Sequence, residues 1–365
     1  MKSCLLPLLD RYSKDGLPIK DSDQKTRSEI PAAFLLGMIA LDDQSNIQQQ
    51  LMEMVLSLQT PEGYWPEKSY ASEDEDVGYF GAVPTAFSVI ALAAYYHLHP
   101  KERVLKALLW GADYLIQHEQ NGRFLKSSVN KSDVLNTNML SGVALLAASE
   151  YFPEDSQRKI AYKNASQRAI LKTIRAQLIS GAFPYTDMGL QVPYLYHAMT
   201  LGLLSYVYPR FSHSSLLQQS TKRGLRFYNH IIDPDGKVKW RKEKFTDKSG
   251  ASWFYGWSLI TAKTFLDQEH IQRLEGIIED LKVPDGYLSN DNADESDLFY
   301  TAWTVFAASL SVSVQPQKCP FLSISSYYPG MALKYIQRLG YVIKYGVNKA
   351  SKSVNGINRG PIEHW

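Results

Sequence analysis

Cysteine is almost absent from this chain of 365 residues, where only Cys4 and Cys319 occur. Two cysteines cannot build a disulfide scaffold, so free thiols in a reducing, cytoplasmic compartment are the expectation. Net charge is almost absent too. Lys plus Arg is 39 and Asp plus Glu is 37, a balance of +2, so the broad positive field of a nucleic-acid-binding protein is missing. No His-x-x-x-His pattern occurs, and His97 and His99, two apart, would point in different directions on a helix. No metal site is expected. Phosphate-cradling Gly-Lys-Ser/Thr and Rossmann glycine patterns are also missing, so no cofactor is expected. Two stretches, 188–209 and 298–318, the second uncharged up to its last residue Lys318, approach membrane-span length. Gln191, His197 and several Tyr, Ser and Thr dilute them, which favours buried helices over spans. The N-terminal apolar stretch is broken by Pro7 and ended by Asp10, too interrupted for a secretory signal.

Aromatic residues are abundant: 23 Tyr, 14 Phe and 7 Trp. Nearly all-apolar runs begin at Ile30, Pro84, Asn138, Tyr194, Trp253 and Leu298, spaced 45 to 59 residues apart. Between them lie mixed segments, 46–58, 102–117, 160–178, 216–231 and 271–281. In 102–117, Val104, Leu105, Leu108, Ala112 and Leu115 share one helical face. A helix apolar all round must be buried, and an amphipathic one lies at a surface. Met331–Lys344 completes a sixth pair. Six inner and six outer helices predict an all-α fold, an (α/α)6 toroid, over 28–345. Residues 1–27 form an N-terminal extension and 346–365 a polar basic tail.

A second regularity runs through the loops that follow the amphipathic segments. Gly63-Tyr64-Trp65, Gly122-Arg123-Phe124, Gly181-Ala182-Phe183, Gly236–Trp240 and Gly286-Tyr287 each set an aromatic after a glycine. Glycine allows the left-handed turn that ends a helix, and the aromatic then packs across the next inner helix. Lys237–Trp240 is short enough to pair only locally.

The stretch Leu58–Trp65, followed by Pro84-Thr85-Ala86, resembles the repeat of terpenoid-cyclase and prenyltransferase toroids. In those proteins a Gln-x-x-x-Gly-x-Trp turn ends an outer helix and Thr-Ala opens an inner one. Six-hairpin glycosidases, polysaccharide lyases and uronyl epimerases share that architecture. With Gln191–Thr200 and Trp253–Ser258, the whole chain looks most like VpsJ-type proteins of bacterial surface-polysaccharide clusters. The resemblance implies a carbohydrate-active protein, an enzyme of the lyase, epimerase or hydrolase type. Its implied substrate is an acidic polysaccharide or a lipid-linked oligosaccharide. Two alternatives stay open: a cyclase on an isoprenoid substrate, and a sugar-binding toroid without catalysis. Cyclase chemistry would need an acid just before Thr85-Ala86, and Glu73–Asp76 stands several residues too early.

Residues at the starts of the inner helices are the candidates for chemistry. His197, with Tyr194 and Tyr255, could move a proton at a sugar carbon. Asp133 and Asp297, at inner-helix starts on opposite sides of the ring, and Asp187 and Asp247 in preceding loops could supply the carboxyl groups a glycosidase needs, and spacing singles out no pair. Asn136 and Asn138 could neutralise a sugar carboxylate. Trp65, Tyr185, Tyr196, Trp240, Trp253 and Trp257 could stack on sugar faces. Gln191 and Asp294 could bind hydroxyls.

Residues 315–365 hold seven Lys/Arg against Glu363 alone. That bias suits an anionic partner: a uronate polymer, a lipid-linked pyrophosphate sugar or a membrane surface touched peripherally.

Overall fold

The computed structural model describes residues 27–42, 46–67, 79–126, 132–211, 213–239, 251–283, 286–287, 298–313 and 316–317. Among these residues the chain forms α1 (Glu29–Ala40), α2 (Asn46–Ser57), α3 (Ala82–Leu98), α4 (Glu102–Gln117), α5 (Leu135–Ser149) and α6 (Gln157–Ala176). It continues with α7 (Tyr194–Phe211), α8 (Ser215–Ile231), α9 (Ala251–Phe265), α10 (Gln268–Asp280) and α11 (Leu298–Val312). The odd-numbered helices are the apolar runs. Each packs on the next, and α11 returns to α1, so six helices close into a ring. Every even-numbered helix lies against the odd one before it. Its apolar stripe faces inward, as Val104, Leu108, Ala112 and Leu115 do in α4. This is the expected toroid; the sixth outer helix, expected over 331–344, lies outside the described residues, as do Cys4, Cys319, residues 1–26 and the tail. Among the described residues no helix is long and apolar enough to cross a membrane.

The connections are unequal, and the inequality creates a functional end. Inner helices pass to outer ones through two to seven residues. Two of these turns are closed by side-chain caps, Ser214 on the Leu217 N–H and Asp267 on the His270 N–H. Outer helices return to inner ones through 17 to 24 residues. All the long connections therefore gather at the N-terminal ends of the inner ring, where loops carry function most readily.

Each long connection begins with the same wedge. Two-residue antiparallel strands pair β1 (Pro66–Glu67) with β2 (Tyr79–Phe80), β3 (Glu119–Gln120) with β4 (Arg123–Phe124), and β5 (Lys282–Val283) with β6 (Gly286–Tyr287). After α8 a single bridge, Ile232 with Val238, serves instead, the local pairing expected near residue 237. Gly63, Gly122, Gly181 and Gly236 have φ of +100°, +81°, +92° and +86°. They sit five or six residues beyond the helix ends, so they do not end the helices, contrary to expectation. They let the wedge rest on the next outer helix. A Cβ at Gly122 would stand 2.4 Å from the Arg168 carbonyl oxygen, and one at Gly181 2.2 Å from that of Arg223.

Glutamine fastens two of these wedges. The Gln59 amide donates to the carbonyls of Gly63 (2.8 Å) and Ala107 (2.9 Å), and that of Gln177 to Gly181 (2.8 Å) and Ser220 (2.9 Å). One side chain thus ties its own turn to the neighbouring outer helix. Gln177→Ala removes both bonds and leaves the buried Gly181 carbonyl without this donor, and a loss of about 1–3 kcal/mol is expected. The check is a lower urea midpoint with an unchanged denaturant slope.

Candidate active site

The polar residues in the first turns of the inner helices divide into two sets. One set faces the outer ring and holds the wedges. The Trp65 N–H reaches Thr85 Oγ1 (3.1 Å), and the Phe124 N–H reaches Asn138 Oδ1 (2.8 Å). The Phe183 N–H donates to His197 Nδ1 (3.1 Å), and the Val238 N–H to the Tyr255 hydroxyl (3.1 Å). Thr, Asn, His and Tyr do one job in successive repeats, each accepting the amide proton of a buried wedge residue.

This geometry revises the proton-transfer expectation. His197 is fully buried, stacked on Phe183 and edge-on to Phe227. Burial pushes its pKa down to about 3, against the opposite pull of the Gly224 carbonyl. It is a neutral acceptor inside the protein, not a base at the ring mouth. Tyr255 is 4% exposed with its hydroxyl engaged by Val238, and Tyr194 packs toward Phe227 of α8. Asn138 is likewise interior. Its Nδ2 donates to Asp133 Oδ1 (2.7 Å), and Lys172 meets Asp133 Oδ2 at 2.8 Å. Both oxygens of Asp133 are therefore committed to a link between the rings, which Asp187 joins at 3.7 Å from Lys172. Trp65 is fully buried with its indole N–H on the Val55 carbonyl, so it is a wedge and not a sugar platform. Gln191 is exposed, and its backbone carbonyl accepts the Tyr185 N–H.

The second set faces the ring axis. Residues two apart on a helix lie about 200° apart. With Asn138 and Tyr255 turned outward, Asn136 and Trp253 are turned inward. Phe87 of α3 lies 4.7 Å from Trp303 and 3.8 Å from Phe306, both of α11. Helix α1 stands between α3 and α11 in the ring, so these contacts run across its interior. Trp253 sits 4.3 Å from Trp303, 5.7 Å from Tyr196 and 6.4 Å from Tyr300. Tyr196 continues to Tyr185 at 4.6 Å. The ring is thus plugged by Phe87, Trp257 and Phe306, each fully buried, with an aromatic floor above them. Trp257 belongs to the plug and cannot reach a ligand.

Cations stand around that floor. Arg27 lies 4.7 Å over the Phe299 ring, and Lys126 Nζ is 3.5 Å from the Tyr185 hydroxyl. The first N–H groups of α3 and α5 are taken by the carbonyls of Lys126 and Tyr185 from the following loops. Glu29, the first residue of α1, is buried.

Thus Tyr185, Tyr196 and Trp253 come together at the floor, and Asn136 is turned inward with its Nδ2 donating to Met199 Sδ at 3.4 Å. His197, Tyr194, Tyr255, Asn138, Asp133, Trp65 and Trp257 serve the fold, and Gln191 lends it a backbone carbonyl. Trp240, Asp247, Asp294, Asp297 and the acidic run 73–76 lie outside the described residues. Sequence reasoning missed Tyr300, Trp303 and Glu29. Tyr300 had a signal: Tyr196, Trp253 and Tyr300 are each the third residue of their inner helix. Trp303 had none, since it is one more apolar residue in an apolar helix. A separate cavity of about 250 Å³ lies outside the ring among α9, α10 and α11, lined by Leu259, Ile278, Val305 and Ala308. It is remote from the floor and nearer the opposite end of the inner helices.

No family model and no curated protein matches this sequence. Solved structures do match its fold. An unsaturated glucuronyl hydrolase from Bacillus sp. GL1, responsible for degrading glycosaminoglycan, is 14% identical with a TM-score of 0.60. The match covers 84% of this chain and 93% of that one. A novel alpha-amylase from Clostridium perfringens has a TM-score of 0.60 at 10% identity, covering 86% of this chain and 98% of its own. A D-mannose isomerase reaches 0.56 at 12% identity, covering 85% and 96% respectively. These neighbours are carbohydrate-active enzymes, and at such identity the likeness establishes the (α/α)6 fold.

Proposed function

We propose that this protein is an enzyme that takes a poly- or oligosaccharide into the N-terminal end of its inner ring. One observation carries the reading: Tyr196, Trp253 and Tyr300 occupy the same position of three inner helices, at the end where every long connection returns. Such a floor presents flat aromatic area to the CH faces of a sugar. The fold shared with sugar hydrolases and a sugar isomerase supports the same substrate class by analogy.

Elimination and epimerisation lose their residues once His197 and Tyr255 are committed to the wedges. Hydrolysis by two carboxyl groups is the reaction we propose in their place. Asp133 is held between the rings, so we assign the pair to Asp297 and Glu29. Asp297 directly precedes α11 in sequence, Glu29 opens α1, and α11 packs on α1. One carboxyl protonates the glycosidic oxygen; the other attacks the anomeric carbon or activates water there. The surface-polysaccharide resemblance and the basic tail support a role in bacterial surface-polysaccharide biosynthesis, on the polymer or its lipid-linked precursor.

The test is an assay against a panel of neutral and acidic polysaccharides, reading new reducing ends and ultraviolet-absorbing double bonds separately. Reducing ends without absorbance are expected, and Asp297→Asn should lower turnover by ~10²–10⁴ at unchanged melting temperature. A rise in absorbance would replace hydrolysis by elimination. Turnover unchanged in Asp297→Asn would remove that residue from the mechanism.

A further inference from the structure

We infer that Trp110, Tyr114 and Tyr64, where the wedge after α2 rests on α4, form a second sugar-binding platform that holds the polysaccharide outside the ring. The inference rests on the carbohydrate reading above and adds a site to it. One position on the outer helices lies beside a wedge glycine in four successive repeats. It falls three residues beyond the carbonyl that the wedge glutamine holds, so that Ala107 leads to Trp110 and Ser220 to Arg223. At Gly122 and Gly236 the same position is Arg168 and Arg273. Each arginine is tied to the connection whose glycine it meets. Arg168 pairs with Glu119 at 2.6 Å, Arg223 donates to Gln177 Oε1 at 3.0 Å, and Arg273 donates to the Pro234 carbonyl at 2.6 Å. In α4 the position is tryptophan instead. The pyrrole part of its ring rests on Gly63, where a Cβ would stand 2.7 Å from Trp110 Cδ1, and 44% of the residue stays exposed.

A lone exposed apolar side chain needs no explanation, but Trp110 does not stand alone. Trp110, Tyr114 and His118 follow one another at intervals of four residues, on one flank of α4. Tyr114 stacks on His118 at 4.3 Å, and Tyr64 of the wedge joins Tyr114 at 4.9 Å. All three are half-buried, so the rings make a fixed shelf open on one side. Burial, and further the Glu62 carboxylate, hold both phenols above the ordinary tyrosine pKa, so each keeps a proton to donate. Among the described residues the exposed large aliphatic side chains, Leu98, Ile160, Ile179 and Val312, lie on other elements. What the shelf offers is flat ring area edged by O–H and N–H groups, which suits the CH face and hydroxyls of a sugar. It also leads to the ring mouth. Two residues after Tyr64, the Pro66 carbonyl accepts the Ser28 hydroxyl at 3.1 Å, and the neighbouring Arg27 lies over Phe299 at the rim. Helix α4 runs toward that same end, so its rings climb from mid-wall to the rim. A polymer leaving the floor past Phe299 meets the shelf, and this continuity favours the substrate itself as the occupant.

The experiment is native electrophoresis of the full chain through gels cast with hydroxyethyl cellulose, galactomannan, xylan or polygalacturonate, with mobility referred to a gel without polymer. At least one polymer should retard the wild type. Trp110→Arg installs the residue that the next three outer helices use, so it should keep the melting temperature while weakening binding to that polymer by ~3–10-fold. Tyr114→Ala should weaken it similarly, and it reports the shelf even if the arginine disturbs the wedge. Retardation unchanged in both variants would overturn the platform and leave the carbohydrate reading standing. A wild-type dimer in sedimentation that Trp110→Arg dissolves, with retardation unchanged, would give the shelf to a second copy and equally overturn the platform. Retardation of the folded wild type by none of the four polymers would count against the platform and the carbohydrate reading together.

Discussion

Replacing His197 with alanine is expected to cost the fold roughly 3–5 kcal/mol. The ring fills the space between Phe183 and Phe227, and its Nδ1 is the acceptor described for the Phe183 N–H. Removing both opens a cavity and strands a buried donor. The preceding repeat supplies the control, because Asn138 holds the Phe124 N–H with an Oδ1 placed as Nδ1 is in histidine. His197→Asn should therefore recover part of the loss, and chemical denaturation of the three proteins checks the order. Acid separates the roles further. The folded-state pKa is about 3 against an ordinary 6.5, so the unfolded chain binds a proton that the folded chain refuses. Stability from this site is fully present above about pH 6.5 and is lost as pH falls toward 3, by up to ~1.4 kcal/mol per pH unit. The wild type should show that slope, and His197→Asn should show less of it. Were His197 a catalytic base, alanine would leave stability nearly unchanged and abolish turnover.

Gly181→Ala should be as damaging, with a loss of about 3 kcal/mol or more. The new methyl would meet the Arg223 carbonyl at 2.2 Å, in a backbone with φ of +92°. Relief requires lifting the wedge off α8, which also breaks the bond from Gln177 to Ser220. Gly276, inside α10, has nothing within 4 Å of its would-be Cβ. Gly276→Ala should instead gain about 0.5–1 kcal/mol from helix propensity. Melting both variants beside the wild type gives opposite signs if the wedge contact matters and similar small shifts if it does not.

The ring itself was legible in the sequence because burial on all sides leaves a mark: α3 and α5 have almost no polar face, whereas α4 and α8 do. The site was only half legible, for a physical reason. A polar side chain in the first turn of an apolar helix can face the axis or the outer ring, and residue type does not say which. Asn136 and Asn138 are the same amino acid two positions apart, yet one is turned inward to Met199 and the other meets a wedge amide. His197 looked reactive because histidine titrates near neutrality, but full burial removes that property. The repeat register would have separated them. Thr85, Asn138 and His197 are each the fourth residue of an inner helix, and Tyr255 the fifth.

The central claim is that the ring mouth, floored by Trp253 and Trp303, is a sugar site. A crystal structure of the protein soaked with an oligosaccharide of its best polysaccharide substrate tests it most directly. The account predicts a sugar ring against Trp253 and Trp303. A saccharide seated in the outer cavity among α9, α10 and α11, with the floor unoccupied at saturating sugar, would contradict it.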